Sequence, residues 1–495
     1  MLSSILHTLF LKQPMRDARP LNRERARWLV PCPYYCTWAK RFWAITALVC
    51  PLLAQSTTAQ FKPILIQPEV QFQRFDGFGI TLGNGAAQEI MGLPEKERAR
   101  LMDMLFGSQG SHFNLVRNEI TWAAKRLPMT HPLYLRGLQF SLFDEKSETD
   151  QFNLLREAQK RNEVIPYSCN WSPPPLWKTN LSENDGGVLL TKHYEDFATY
   201  LGAYIDSYKK LRYLEIPFLS FQNDPEGSGP FQSCLWKPDQ TAEFLKMVAK
   251  QFKGQGIRTQ FFLPELDWGS LAEYLNPILA DPESRQWVAG IAAHSYTGDN
   301  KDRSTIKEIS KRLNVKLWQT EYALTSAEDS AGLDGGLRLA EQVMNDLLYA
   351  ECQAWFYWVP LASRPWKGRT SLLDEDANSF KLTKRFWCLA QFSRFISSKS
   401  VRVMASGGTS QVIAFRSPGY NAITLVLLNR STEPVHETIQ TRDWNLERTA
   451  AYRTAQQEDC VVVPLTGESG PKLSLTLAPR SITTFIAQIR RLPSR

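Results

Sequence analysis

Short apolar runs alternate with longer amphipathic segments from about residue 73 to residue 393, and this alternation limits the possible folds more than any other feature of the chain. Short apolar runs are typical of buried strands, and segments with a helical apolar period are typical of helices that cover a sheet. Strand–helix units in this number predict a parallel (β/α)8 TIM barrel, an α/β fold. The apolar runs are Phe113–Arg117, Val164–Cys169, Leu214–Phe221, Gln260–Pro264, Val288–His294, Val315–Thr320 and Ala354–Trp358, and the amphipathic segments include Pro94–Phe106, His193–Leu211, Asp239–Phe252 and Leu337–Ala350.

The pattern changes after Val401. The runs QVIAFR, AITLVLLNR, KLSLTLAP and SITTFIAQI are rich in β-forming residues and are separated by Gly, Pro, Ser and Asn. No helical period persists in this part of the chain, so we expect an antiparallel β-sandwich of roughly a hundred residues. Two domains also suit a chain of 495 residues, which is too long for one small core.

The net charge of +8 is concentrated in residues 1–60, which hold eight Lys and Arg against Asp17 and Glu24 and so contribute +6. The remaining 435 residues carry 50 basic and 48 acidic groups, a net charge of +2. Such a balance does not favour a nucleic-acid partner.

Residues 1–60 have the layout of a leader with a secretory signal. Lys40 and Arg41 precede the apolar stretch FWAITALVCPLLA, and the small and polar residues QSTTAQ follow it. The stretch is too short to span a bilayer, so we expect cleavage after Ser56 or Ala59, a secreted or extracytoplasmic protein, and no membrane segment in the mature chain.

Cysteine usage predicts neither a disulfide framework nor a zinc site. Five cysteines follow the leader, an odd and widely spaced set without a CxxC or His/Cys spacing. We therefore expect no metal and no other cofactor.

Polar residues follow several of the apolar runs, where the active-site face of a TIM barrel lies. Two carboxylates among aromatic and amide groups are what the hydrolysis of a glycosidic bond requires, because one protonates the leaving oxygen while the other attacks the anomeric carbon or activates water. Among these residues are Arg117, Asn170, Trp171, Asn223, Asp224, Glu265, His294, Tyr296, Glu321 and Trp358.

Asp224 and Glu321 are the predicted catalytic pair. They are 97 residues apart (321 − 224), enough for three strand–helix units, so they end the fourth and seventh barrel strands on opposite sides of the mouth. Asp224 could instead only close a turn before Pro225, and Glu226 is the alternative acid/base. We expect Glu321 and one of these two carboxylates to face each other across the mouth, at roughly 5–6 Å if the second carboxylate attacks the anomeric carbon directly.

Five motifs occur together in an order that resembles glycoside hydrolase family 30. They are FDGFGITLGNGAAQEI, NWSPPPLWKTN at residues 170–180, AAHSYTG at residues 292–298, LWQTEYAL and CLAQFSRFI at residues 388–396. The stretches LPELDW and KRFWCLAQFSRFI are most similar to the xylanase and glucuronoxylanase branch. The resemblance runs from about residue 73 to the C-terminus.

The resemblance implies a retaining mechanism on β-linked sugars, with the acid/base on the fourth strand and Glu321 as the nucleophile. It implies that Arg117 keeps Glu321 ionised and that Asn223 binds the sugar 2-hydroxyl. We further expect His294 and Tyr296 to orient Glu321, Trp171 and Trp358 to stack on sugar rings, and Asn170 to contribute to substrate binding; a structural His and core tryptophans are the ordinary alternatives.

One residue departs from the family pattern. The family has Gln-Asn-Glu-Pro where this chain has Gln-Asn-Asp-Pro, so Asp224 has an arm one methylene shorter. A shift of about 1 Å can lower a rate on the order of a hundredfold. The alternatives to a xylan-type hydrolase are therefore a glucosylceramidase or endo-β-1,6-glucanase on the same scaffold, or a carbohydrate-binding protein with weakened catalysis.

The resemblance also sets the expected domain boundaries. The barrel takes residues 73–396, and the β-sandwich takes residues 397–495 together with 61–72, which add a strand from before the barrel. We expect a monomer whose partner is a β-linked oligo- or polysaccharide, and specificity is expected to lie in loops such as residues 362–370.

Overall fold

The computed structural model describes residues 62–83, 85–120, 146–324, 331–361, 370–419, 421–465 and 469–492. The predicted leader and most of the predicted specificity loop 362–370 lie outside these ranges. Among the described residues, no helix is both long enough and apolar enough to cross a membrane.

Strands and helices alternate through the first three quarters of the described chain, and strands dominate the rest. The strands are β1 (Ile64–Arg74), β2 (Gly77–Thr81), β3 (Leu115–Glu119), β4 (Ile165–Cys169), β5 (Phe218–Ser220), β6 (Gln260–Asp267), β7 (Val288–His294), β8 (Lys316–Glu321), β9 (Ala354–Trp358), β10 (Leu373–Asp376), β11 (Ser379–Leu382), β12 (Val401–Ser406), β13 (Gln411–Arg416), β14 (Ala422–Asn429), β15 (Val435–Thr441), β16 (Trp444–Ala455), β17 (Glu458–Val462), β18 (Lys472–Leu477) and β19 (Ser481–Arg491). The helices are α1 (Ala86–Gly92), α2 (Glu95–Phe106), α3 (Lys146–Gln159), α4 (Tyr194–Arg212), α5 (Pro238–Gln255), α6 (Leu271–Ala280), α7 (Pro282–Arg285), α8 (Asn300–Leu313), α9 (Leu333–Asn345) and α10 (Lys384–Ser393).

Strands β2 to β9 form a closed, eight-stranded parallel barrel, which confirms the predicted fold class. The pairing of β2 with both β3 and β9 closes it. The helix α5 illustrates how the barrel is covered, because its apolar stripe of Phe244, Leu245, Val248 and Phe252 is buried. β5 is the fourth barrel strand and β8 the seventh, as the spacing of the carboxylates predicted.

The second domain is one nine-stranded sheet in the order β17-β16-β19-β14-β13-β12-β1-β15-β18. All its pairs are antiparallel except β1 with β15. The two halves of the sheet share one apolar core, and Leu446 at the start of β16 exchanges backbone hydrogen bonds of 2.9 and 3.1 Å with Gly470 before β18. The sheet is therefore folded over on itself, which is the predicted sandwich-like arrangement.

The strand from before the barrel is longer than the segment assigned to it from the sequence. β1 runs to Arg74, and the first barrel strand begins three residues later at Gly77. After the last barrel strand in sequence, α10 packs on the sheet, and Gln391 Nε2 donates to Thr454 Oγ1 at 2.9 Å. The barrel and the sheet belong to one compact unit.

Candidate active site

The mouth of the barrel carries polar side chains directly above an apolar layer. Because side chains alternate along a strand, the residue two positions beyond an inward-facing one also faces inward. The apolar layer includes Leu115, Tyr167, Ala292, Trp318 and Phe356, and the residues two positions further are Arg117, Cys169, His294, Thr320 and Trp358. The strand period alone thus brings a guanidinium and an imidazole to the C-terminal ends of the strands, where TIM-barrel active sites lie.

Two β-bulges bring carboxylates into this layer. In β6 the extra residue opposite β7 is Glu265, which has a φ of 66°. In β8 the extra residue is Thr320, so that Glu321 pairs with His294. Bulges next to active sites commonly redirect side chains, and here they allow both carboxylates to point into the mouth.

Glu321 ends β8 and is held by two hydrogen-bond donors. Arg117 Nη1 donates to its Oε2 at 2.7 Å, and the Tyr296 hydroxyl donates to its Oε1 at 3.0 Å. Burial raises the pKa of Glu321 above its ordinary value, and the charges of His294 and Arg117 limit that rise. The result is a carboxylate fixed in position, as a nucleophile must be.

Asp224 lies on the loop after β5 and is much less enclosed. Its side chain is 35 % exposed, and its backbone has a φ of 43°. Asn223 Nδ2 donates to its Oδ2 at 2.9 Å, and its own amide donates to the Glu265 carbonyl oxygen at 3.2 Å. An oxygen of Asp224 lies within 4.8 Å of an oxygen of Glu321, which is close to the carboxylate spacing of retaining glycosidases, about 5–5.5 Å.

His294 connects the carboxylates. Its Nε2 lies 3.0 Å from Glu265 Oε2 and 3.9 Å from Glu321 Oε2, and its Nδ1 lies 2.8 Å from Asp224 Oδ1, though at an angle that is poor for a hydrogen bond. Burial lowers the pKa of His294, but the charges of Asp224 and Glu321 outweigh it and raise the pKa well above the ordinary value. These charges favour the imidazolium form of the ring, which contacts Asp224 as well as the nucleophile it was predicted to orient.

Glu265 was predicted only as one of the polar residues that follow apolar runs, without a role, and the structure places it at the centre of the site. It is fully buried, accepts hydrogen bonds from Thr320 Oγ1 at 2.5 Å and from the Tyr167 hydroxyl, and lies 3.2 Å from Arg117 Nη2. Burial raises its pKa, but Arg117 and His294 more than reverse this and lower the pKa to about 2. Glu265 is thus an ionised counter-charge to both cations.

Arg117 and Asn223 lie between the catalytic candidates. Arg117 is fully buried, and its Nη2 donates to Asn223 Oδ1 at 2.5 Å and contacts Cys169 Sγ at 3.2 Å. Asn223 is 2 % exposed. Since Asn223 also donates to Asp224, one chain of hydrogen bonds runs from Glu321 through Arg117 and Asn223 to Asp224.

Trp171 and Trp358 face each other at the mouth, with ring centroids 5.7 Å apart. Both are largely buried, and a Cβ added at Gly83 would lie 2.4 Å from the Trp358 ring, so glycine is needed there. Trp171 also covers the Arg117 guanidinium at 4.7 Å. The predicted stacking residues therefore lie at the mouth, where the two rings pack partly against each other.

Asn170 and Glu226 contact serines outside the catalytic pair. The Asn170 amide group is buried and lies 3.3 Å from backbone atoms of Ser172, which makes it a support for the loop after β4. Glu226 is exposed, and its Oε2 accepts a hydrogen bond from Ser270 Oγ at 2.8 Å. Glu226 is thus directed toward the start of α6, whereas Asp224 faces Glu321.

The mouth brings three possible metal-ligating groups together. Asp224, His294 and Glu321 each offer one atom within 4.8 Å of the others. Arg117 Nη1 already donates to Glu321 Oε2, and the negative charges of Asp224 and Glu321 raise the pKa of His294 and so favour its protonated form, which has no free ring lone pair. The arrangement fits an organic substrate that develops positive charge between the carboxylates.

Comparisons with known proteins agree with this geometry. The model of the glycosyl hydrolase family 30 TIM-barrel domain matches residues 75–359, more than half of the chain. A curated relative, the lysosomal acid glucosylceramidase of Mus musculus, is 25 % identical over 415 residues, which cover 77 % of this chain and 79 % of that one.

Solved structures share the fold. A glycoside hydrolase family 30 subfamily 8 xylanase from Clostridium acetobutylicum superposes with a TM-score of 0.70 at 20 % identity, covering 86 % of this chain and 99 % of that one. An endo-beta1,6-glucanase gives a TM-score of 0.68 at 18 % identity, covering 86 % and 94 %. At these identities the similarity establishes the architecture alone.

Proposed function

The chain belongs to glycosyl hydrolase family 30 and is an O-glycosyl hydrolase, and from this premise we propose that it cleaves β-linked glycosides with retention of configuration, using Glu321 as nucleophile and Asp224 as acid/base. One observation carries the proposal. The two carboxylates face each other within 4.8 Å, one fixed by Arg117 and Tyr296 and the other partly open to solvent.

The first chemical step uses both groups at once. Glu321 attacks the anomeric carbon and forms a glycosyl-enzyme ester, while Asp224 gives its proton to the departing oxygen. The His294 imidazolium, 2.8 Å from Asp224 Oδ1, stabilises the carboxylate that this transfer leaves behind. Arg117 and Tyr296 orient Glu321, so the attacking oxygen needs no rearrangement.

The second step reverses the roles. Asp224, now a carboxylate, takes a proton from water, and the resulting hydroxide attacks the anomeric carbon and releases Glu321. Because 35 % of the Asp224 side chain is exposed, water can reach it once the leaving group has departed. The product keeps the β configuration.

For the substrate we put β-glucosides first. The relative that aligns across 77 % of the chain is a glucosylceramidase, whereas the likeness to the xylanase branch rests on two short stretches. Xylan is the second candidate.

A substrate screen with product analysis tests the proposal. The purified chain is incubated with aryl β-glucosides, glucosylceramide, β-1,6-glucan and xylan, and the anomeric configuration of the first product is read by NMR. We expect a β product from at least one substrate. Release of the α anomer would refute retention, and sugar binding without release of product would favour the carbohydrate-binding alternative.

We also propose export. The support is the charged pair Lys40–Arg41 followed by the apolar stretch and the small residues near Ser56 and Ala59. N-terminal sequencing of the protein recovered from the culture medium tests this, and an intact N-terminus inside the cell would contradict it.

A further inference from the structure

Lys178 is a buried lysine whose ammonium group binds backbone instead of a carboxylate. It is 0 % exposed, and its Nζ lies 2.7 Å from the Ser182 carbonyl oxygen, 3.3 Å from that of Glu183 and 2.6 Å from that of Ser233. It also donates to Ser172 Oγ at 3.0 Å. Burial lowers the pKa of Lys178, so these oxygens must provide what water would otherwise supply.

The atoms that Lys178 binds come from two different loops. Residues 172–190 follow β4, and residues 225–236 follow β5. Backbone hydrogen bonds join them, from Ser233 to Glu183 at 2.9 Å and from Leu235 to Gly187 at 2.8 Å. The Nζ of Lys178 lies between the loops and binds both.

The second of these loops carries Asp224 at its base. The Gly227 amide donates to the Asp224 carbonyl oxygen at 2.7 Å, and the Trp236 amide donates to the Pro225 carbonyl oxygen at 2.9 Å, which ties the far end of the loop back to its beginning. Asp224 itself has a φ of 43°. A residue other than glycine keeps such a backbone only where its surroundings hold it.

We propose that Lys178 is a positioning residue for the acid/base: by pinning residues 172–190 to residues 225–236, it fixes the loop that sets where the Asp224 carboxyl meets the leaving group. This inference rests on the proposed function, because it assumes that Asp224 is the acid. It assigns Lys178 no contact with the substrate.

The inference predicts a specific kinetic signature. General acid catalysis matters most for leaving groups that need protonation and least for those that depart unassisted. A misplaced acid therefore slows alkyl glycosides and spares dinitrophenyl glycosides, whereas a general loss of structure slows both equally.

The test compares Lys178→Met with wild type on methyl and 2,4-dinitrophenyl β-glycosides of the sugar that wild type hydrolyses. Rates are normalised to the active fraction, titrated with a 2-fluoro glycoside that labels Glu321. We expect kcat/KM to fall about 30- to 100-fold for the methyl glycoside and less than about threefold for the dinitrophenyl glycoside.

Lys384→Met is the matched control. Lys384 Nζ also binds main-chain oxygens, those of Ala455 at 2.7 Å and Glu458 at 3.0 Å, together with Asp459 Oδ1 at 2.6 Å, but it joins α10 to the sheet domain. We expect this variant to lose thermal stability and to show equal changes on both substrates. Should Lys178→Met not fold, Ser172→Ala removes the hydroxyl partner of Nζ and is expected to show the same selective loss at roughly threefold.

Two results separate the inference from its premise. If Asp224→Ala shows the leaving-group selectivity and the Lys178 and Ser172 variants do not, Lys178 has only a structural role and the inference is wrong. If Asp224→Ala itself shows no selectivity, the assignment of the acid is wrong, and the inference falls with it.

Discussion

The two sides of the barrel mouth hold their carboxylates in different ways. Glu321 ends a barrel strand, is 5 % exposed, and is fixed by hydrogen bonds from Arg117 and Tyr296. Asp224 lies four residues beyond its strand, with a side chain that is 35 % exposed and a backbone at positive φ. The nucleophile side is built from the barrel itself, and the acid side is built from loops.

This difference suits the two tasks. The nucleophile needs one fixed position from which to attack, and a strand end between buried donors provides it. The acid/base must exchange protons with the leaving group and then with water, which requires access to solvent. The effect of a substitution on the acid side should therefore depend on the leaving group of the substrate. The effect of a substitution on the nucleophile side should not.

Replacing the nucleophile should have the largest effect. Glu321→Gln keeps the shape and loses the attacking charge, so we expect kcat to fall by more than about a thousandfold on every substrate. Binding of substrate, measured by calorimetry, should change little. Turnover near the wild-type rate would show that Glu321 is not the nucleophile.

Removal of the acid should come next and should be selective. We expect Asp224→Ala to lose about 10²- to 10⁴-fold on polysaccharide or alkyl glycosides, while dinitrophenyl glycosides remain good substrates. Azide should restore turnover, since the cavity admits a small anion in place of the base. Equal losses on all leaving groups would contradict the difference between the two sides.

Tyr296→Phe tests the nucleophile side through its pH dependence. The lost hydrogen bond to a charged group should lower kcat/KM by about 10- to 100-fold. Donation from Tyr296 favours the ionised carboxylate, so its loss raises the pKa of Glu321, which burial has already raised. As pH falls, the variant should therefore lose activity at a higher pH than wild type does; an unshifted acid limb of the kcat/KM profile would show that Tyr296 does not act on Glu321.

Lengthening the side chain of the acid/base should increase activity on alkyl glycosides. Asp224→Glu restores the missing methylene, and we expect kcat/KM on alkyl glycosides to rise by about three- to tenfold, with little change on dinitrophenyl glycosides. A loss on alkyl glycosides would mean that the contact with His294, 2.8 Å away, already places the shorter arm correctly.

The smallest effect is expected at Glu226. Its carboxylate binds Ser270 at 2.8 Å, so Glu226→Ala should stay within about twofold of wild type on all leaving groups. It serves as the neighbouring-carboxylate control for Asp224→Ala. A leaving-group-selective loss in this variant, with a mild effect of Asp224→Ala, would make Glu226 the acid.

The barrel was predictable because its signal is periodic. β7 and β9 have the predicted bounds, and β8 differs by one residue at each end, since apolar runs flanked by amphipathic segments report burial directly. The opposed placement of strands four and seven then followed from counting strand–helix units. The positions of Asp224 and Glu321 could be reached in this way.

The bulges could not be predicted, and the bulge in β6 explains why the central role of Glu265 was not recovered. Glu265 lies within β6, not after it, and it reaches the site only because the extra residue breaks the two-residue period. Asn170 was predicted to contribute to substrate binding because it follows a strand, and its amide group lies 3.3 Å from backbone atoms of Ser172. Lys178 could not be identified from the sequence, because a single lysine in a loop is ordinarily exposed to solvent.

The position of β1 has a consequence for how the chain is made. Leu65 pairs with Ser406, 341 residues later (406 − 65), and Ile64 pairs with Ile439. At about 5–20 residues per second, β1 leaves the ribosome roughly 20–70 seconds before either partner strand exists. The whole barrel is synthesised during this interval, while β1 remains attached to it with the backbone hydrogen-bonding groups of both its edges unpaired. We therefore expect a chain that stops after Ser393 to aggregate during synthesis, because the first strand made can be covered only by nearly the last.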